Sequence, residues 1–283
     1  MKYLFATIGI GCAGAAMAAS HGGGWTLEGF ETPESAYYEE GSDQIVVSNI
    51  ATFGPDGQMD GYLSLVTPEG EMKQKDWVTG LMDPKGMASM DGKLYVADAM
   101  GLHVVDIASG SLDETITLEG AMFPNDVAIG PDGALYVTDM FGGSIYRVMD
   151  GAAEVFVPAG TLDLPNGIWA QDDRLVVGSM GKEWLMEQGQ INGAGKLMGV
   201  TYDSAEVTTL EGAGETGAID GIVEIGGKLI FSDNPTGEIV AYDGSGLETL
   251  ATTEPGAGDI GMMGDMVLVP FLQGGKVMAM GLE

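Results

Sequence analysis

The chain has 283 residues, with 42 acidic against 11 basic side chains and a formal charge of -31. So negative a surface repels phosphate backbones and anionic lipid, which argues against nucleic-acid binding and membrane insertion and favours the attraction of cations. A hydrophobic content of 45% excludes a disordered acidic tail, because this chain carries enough apolar surface to build a core.

In chain order, Lys2 and the apolar run Tyr3 to Gly14 come first, followed by Ala16-Met17-Ala18. A positive residue, a short apolar stretch and a small-x-small site are the signature of an export signal cut after Ala18. Residues 1–18 are therefore expected to be a signal peptide and 19–283 one domain of a periplasmic or secreted protein. Cleavage would remove Cys12, the only cysteine, and leave no disulfide or thiolate chemistry.

Next comes Trp25 to Phe30, which alternates like a strand, and then a unit that recurs six times. The copies begin at ESAYYEEGSDQIVVSN (34–49), KGMASMDGKLYVADAMGLHVVD (85–106) and NDVAIGPDGALYVTDMFGGSIYRV (125–148), and continue with NGIWAQDDRLVVGSM (166–180), DGIVEIGGKLIFSDNPTGEIVAYD (220–243) and DIGMMGDMVLVPF (259–271). Each has an apolar strand, a Gly/Asp turn such as Asp91-Gly92 or Asp132-Gly133, and a second β-rich strand. Their second strands end near Ser48, Asp98, Asp139, Ser179, Asp233 and Pro270, a spacing that fits one four-stranded propeller blade. The segment from Trp184 to Gln190 reads as one helical turn or a loop. After Phe271 one clear strand remains, Lys276 to Met280, so the last blade lacks its outer strand. The expected fold is all-β: a six-bladed β-propeller whose ring is closed by the N-terminal strand, Trp25 to Phe30, completing the last blade.

Residues repeated in every unit serve the architecture. The Asp at the ends of LYVAD, LYVTD and LIFSD (Asp98, Asp139, Asp233) is expected to cap a turn. The starts of the first strands differ from unit to unit: Glu34, Pro84 or Lys85, Asn125, Asn166, Asp220 and, in the shorter last unit, Asp259. First strands line a propeller's channel, so these side chains are expected to gather at one mouth. Converging carboxylates repel and lose hydration unless a cation joins them. Glu34, Asn125, Asn166 and Asp220 form an oxygen-only donor set suited to Ca²⁺, with another divalent cation such as magnesium as the alternative. A water-filled channel with hydrogen-bonded amides and no metal answers the same spacing.

At these residues the chain resembles the senescence-marker-protein/gluconolactonase/lactonase family of six-bladed propellers. The motifs are TPES around Glu34, FPND around Asn125, LPNG around Asn166 and IDG around Asp220, one each in blades one, three, four and five. PKGM at Pro84 to Met87 and the segment Gly258 to Gly261 are similar to exported bacterial members. The resemblance implies calcium on Glu34, Asn166 and Asp220, with Asn125 as a further ligand or a substrate-contacting amide. It also implies hydrolysis of a lactone or related ester, the metal polarising the carbonyl and Asp220 acting as base or nucleophile. One departure weakens a sugar-lactone substrate: where the family often has an arginine before the blade-three Asn, this chain has Met122, Phe123 and Pro124.

Lys85 is expected to meet a substrate carboxylate or to form a salt bridge at the rim. The pocket wall is expected from loops after the second strands, with Met140, Met180 and Phe271 as substrate contacts and Met100, Phe141 and Trp184 beside them. His21 and His103 are not placed for catalysis. The expected partner is a small-molecule substrate; the alternative is a non-catalytic propeller that binds a small molecule or protein around a structural metal.

Overall fold

The structure, a computed structural model, describes residues 23–52, 59–185 and 190–282. The expected signal peptide, Cys12 and His21 lie outside the described residues. Six four-stranded antiparallel sheets form the six blades of a β-propeller. The inner strands, in blade order, are Pro33–Glu39, Met87–Met90, Pro124–Ile129, Pro165–Ala170, Ile219–Ile225 and Gly261–Met263. Neighbouring inner strands contact one another around the ring. In blade one the order continues through Gln44–Asn49 and Gly61–Val66 to Met72–Leu81 at the outside.

Alternation within each strand sends one face toward each neighbouring blade. Among the described residues, the apolar side chains accordingly form a cluster at each of the six blade–blade junctions. Ala97, Leu102, Val127, Val137 and Val148 fill the junction of blades two and three, and Ala36, Val47, Leu268 and Val277 that of blades six and one. Thus no blade is folded on its own surface alone; each is half of two cores.

Closure follows the expected route. Trp25–Glu28 pairs antiparallel with Lys276–Gly281, with Trp25 opposite Ala279 and Glu28 opposite Lys276, and becomes the outer strand of blade six. The Trp25 indole also donates its Nε1 hydrogen to the Pro68 carbonyl at 2.9 Å, which fastens this strand to blade one. Glu183–Leu185 pairs antiparallel with Gln190–Asn192 between the second and third strands of blade four, and residues 186–189, most of the segment expected to be a helical turn or a loop, lie outside the described residues.

The turn-capping role of the repeated aspartates holds. Asp139 accepts backbone hydrogens from Met122, Phe123 and Gly142 and the Ser144 hydroxyl hydrogen. Asp98 accepts from the Met82 and Met100 amides, and Asp233 from the Ala218 amide and Thr236 hydroxyl. Each cap bonds the chain entering its blade's inner strand and so sets where that strand begins.

Candidate functional site

Four of the inner strands carry a β-bulge near their start. The register slips between Pro33 and Ala36, Pro124 and Val127, Pro165 and Ile168, and Ile219 and Ile222. The residues inside the slip are Glu34-Ser35, Asn125-Asp126, Asn166-Gly167 and Asp220-Gly221. A bulge re-aims side chains at the end of a ladder, and here it delivers the four expected oxygen donors to the channel. The bulges are held by hydroxyls of the second strands: Ser48, Thr138 and Ser232 accept the amide hydrogens of Ser35, Asp126 and Gly221. Thr138 and Ser232 then donate to the Asn166 and Gly258 carbonyls in the next blade, at 2.7 and 2.8 Å.

Glu34, Lys85, Asn125, Asn166 and Asp220 line one cavity of about 580 Å³. All five are buried. Asn166 Nδ2 donates to Asp220 Oδ1 at 2.9 Å, and Asn234 Nδ2 donates to Asp220 Oδ2 at 2.6 Å. Three oxygens of the group, Glu34 Oε2, Asn125 Oδ1 and Asn166 Oδ1, are buried with no hydrogen-bond partner. Burial raises the Asp220 pKa to about 6, against the two amide hydrogen bonds that lower it. Burial, and then the charge of Asp220, holds the Glu34 carboxyl well above its ordinary range, with Lys85 opposing.

Buried acceptors without hydrogen-bond partners and carboxylates pressed toward protonation are costs that a bound cation would offset. The donor set fits a hard ion such as calcium: carboxylate and amide oxygens, with no sulfur or imidazole. Among the described residues no group of three or more His, Cys, Asp or Glu side chains is gathered for a metal, so the amides are essential to this set.

The wall is apolar. Met140 and Met180 line the cavity as expected and pack with Leu164, Phe123, Phe141 and Trp184; the Phe123 and Phe141 rings meet at a tilt, their centres 4.7 Å apart, and Phe141 meets Trp184 edge-on at 6.1 Å. Phe271 does not join them. It is fully buried between blades five and six with Val269, Ile239 and Ala257, because the second strand of blade six runs one residue longer than expected. Phe271 lies opposite Ala257, the place Asp139 holds opposite Pro124, and Leu272 takes the wall position. Met100 is half exposed and lies away from the cavity. His103 is a packing residue, its Nδ1 2.8 Å from the Thr115 hydroxyl and its Nε2 3.3 Å from Asp98.

The same one-residue difference moves Asp259. Its equivalents are Ser35 and Asp126, not Glu34, and Gly258 holds the blade-six place in the upper ring. Asp126, Asp259 and Ser35 line a second cavity of about 810 Å³ toward the opposite mouth, where the inner strands end. Burial raises Asp126 to about 7, and burial with the charge of Asp126 raises Asp259 well above its ordinary value.

Sequence reasoning missed Asn234, Thr32, Ile50, Leu272 and Gln273 as lining residues. Asn234 had a signal, since it directly follows a second-strand end, the place Met140 and Met180 hold in their blades.

Residues 59–177 match the SMP-30/Gluconolactonase/LRE-like region. That span contains Lys85, Asn125 and Asn166, and supports the family resemblance read from the motifs. Glu34 and Asp220 lie on either side of it, carried by the same bulge. No curated protein matches the chain in sequence. Among solved structures, a gluconolactonase from Xanthomonas campestris is similar with a TM-score of 0.69 at 19% identity, covering 96% of this chain and 94% of its own. A calcium-binding protein, regucalcin, from Agrobacterium tumefaciens gives 0.65 at 20%, covering 90% and 91%. Virginiamycin B lyase from Staphylococcus aureus gives 0.60 at 14%, covering 92% and 100%. What these chains share with the propeller described here is the fold.

Proposed function

We propose that the protein is a calcium-dependent hydrolase of a lactone or related ester, acting at the channel mouth ringed by Glu34, Asn125, Asn166 and Asp220. The observation that carries this reading is the trio of buried, unpartnered oxygens, Glu34 Oε2, Asn125 Oδ1 and Asn166 Oδ1, on the cavity that Asp220 shares. The family match and the gluconolactonase-like fold support a lactonase type of chemistry.

Calcium bound by these oxygens would supply Lewis-acid polarisation of the substrate carbonyl. The chain's own groups do the rest. Asn166 and Asn234 clamp the two Asp220 oxygens and fix the carboxylate's orientation. Asp220, whose pKa burial raises to about 6 in the metal-free chain, is the base that takes a proton from an attacking water. The water oxygen bonds to the acyl carbon, the ring C–O bond breaks, and the proton held by Asp220 passes to the leaving alkoxide, giving a hydroxy acid. The Met140, Met180 and Trp184 wall keeps bulk water from the acyl centre. Export, read from Lys2 to Ala18, is part of the proposal, and N-terminal sequencing of the secreted product starting at Ala19 or Ser20 checks it.

The test is a screen of alkyl- and aryl-substituted lactones and aryl esters with calcium and with chelator. Calcium-dependent turnover supports the reading. Calcium binding with no turnover on any of them favours a non-catalytic propeller with a structural ion.

A further inference from the structure

Lys85 stands in the ring where blades one, three, four and five place an oxygen donor. Its side chain is 1% exposed, and its Nζ donates to one acceptor, the Asp83 carbonyl at 2.7 Å. It enters none of the ion pairs among the described residues, and the rim salt bridge expected of it is absent. The ammonium lies 4.3 Å from the Phe123 ring centre, a cation–π contact that leaves two N–H donors unspent. It is the only basic residue among the described residues lining this cavity.

A buried ammonium with spare donors and no carboxylate within ion-pair distance is destabilising unless a ligand completes it. Burial draws its pKa down, and the charges of Glu34, Asp83 and Asp98 oppose that shift only in part. Long-range attraction cannot bring an anion to a chain of charge -31, so anion recognition here must be local. Beyond the polar floor, the walls are mainly apolar, Ile50, Met140, Phe141, Met180, Trp184 and Leu272, with Thr32 and Gln273 as the polar side chains beside them, too few for a row of sugar hydroxyls.

We propose that Lys85 is a specificity-determining residue: its spare donors take the carboxylate of a substrate whose body is apolar, so the cavity selects alkyl- or aryl-substituted lactone acids or ester acids over polyhydroxylated ones. The word substrate rests on the hydrolase reading; recognition of the carboxylate by Lys85 does not.

The test is a binding titration read by tryptophan fluorescence, in calcium-containing buffer, with phenylbutanoate and its neutral amide as probes. Wild-type protein binds the carboxylate at least about tenfold more tightly than the amide, as loss of a charge-assisted hydrogen bond predicts. Lys85→Met abolishes the preference and Lys85→Arg keeps most of it; Lys85→Gln serves if the Met variant does not fold. Equal affinity for acid and amide in the wild type overturns the proposal, as does an unchanged preference in Lys85→Met or Lys85→Gln, which would place the carboxylate on the metal alone. Failure of the carboxylate probe to bind overturns the proposal. Absence of lactone turnover in the same preparation counts against the hydrolase reading and leaves the binding result standing.

Discussion

Asn166 Nδ2 donates to Asp220 Oδ1 at 2.9 Å, joining the bulges of blades four and five, while Asn166 leaves its own Oδ1 open. The amide thus has two jobs: its nitrogen orients the carboxylate and its oxygen is free for a cation. Asp220→Asn would keep the shape and lose the proton acceptor. Lactone or ester turnover is expected to fall by about a hundredfold or more, with thermal unfolding largely retained. Turnover that survives the substitution refutes the role assigned to Asp220.

Calcium should stabilise the protein. An ion that binds only the folded chain raises stability by about 2.7 kcal/mol at a hundred times its dissociation constant. The melting temperature should therefore climb with calcium and fall back with chelator, and Glu34→Gln should shrink the response. A melting temperature indifferent to both calcium and chelator removes the metal from the site.

The metal-free protein should be more stable in mild acid. Burial raises Asp126 to about 7 and holds Asp259 well above the ordinary carboxylate value, so the folded chain binds these protons more tightly than the unfolded one. Their contribution is full below about pH 4, the unfolded pKa, and is lost as pH rises through 7. Melting curves taken without metal should shift down between pH 5.5 and 8, and Asp126→Asn should flatten the trend. An equal slope in the variant would show that these protons lie elsewhere.

Asp139→Ala strands the Met122, Phe123 and Gly142 amides that its carboxylate serves. The cost should be about 3 kcal/mol in denaturant unfolding. Asp113→Ala, which removes an exposed partner of Lys93, should change stability by about 0.5 kcal/mol or less.

Gly70→Ala tests ring closure. Gly70 has φ of 82°, and a Cβ there would lie 2.4 Å from Cδ2 of Trp25, the residue that fastens the closing strand. Left-handed strain and the clash act together, and a loss of at least about 1 kcal/mol is expected. Unchanged stability would mean that Trp25 is not a fastener.

The repeat was legible because blades share one hydrophobic pattern, and the four oxygen donors were legible because they break it. What periodicity could not show is the bulge. It adds a residue to the strand without changing which positions are apolar, so the donors' aim was visible only as a departure in residue type. Blade six misled the sequence reading for a related reason. Its first strand, Gly261–Met263, is short, and with no capping Asp to mark the end of the second strand, the pattern points to Pro270 although the strand runs to Phe271. Asp259 and Phe271 were both displaced by that single residue. Asn234 escaped notice because a neutral amide after a capping Asp looks like ordinary turn chemistry.

The closing strand ties the site to the order in which the chain becomes available. Trp25–Glu28 is the earliest described strand, and its partner Lys276–Gly281 is the latest. Glu34 is seated across the same seam: its carbonyl accepts the Asp259 amide at 2.8 Å, and Ser35 Oγ donates to Asp259 Oδ2 at 2.5 Å. A chain emerging from the ribosome can therefore assemble blades two to five, with Asn125, Asn166 and Asp220, while Glu34 still waits for blade six to dock. The proposed cation site would be the last thing such a fold completes, and calcium binding followed during refolding would time the moment the ring shuts.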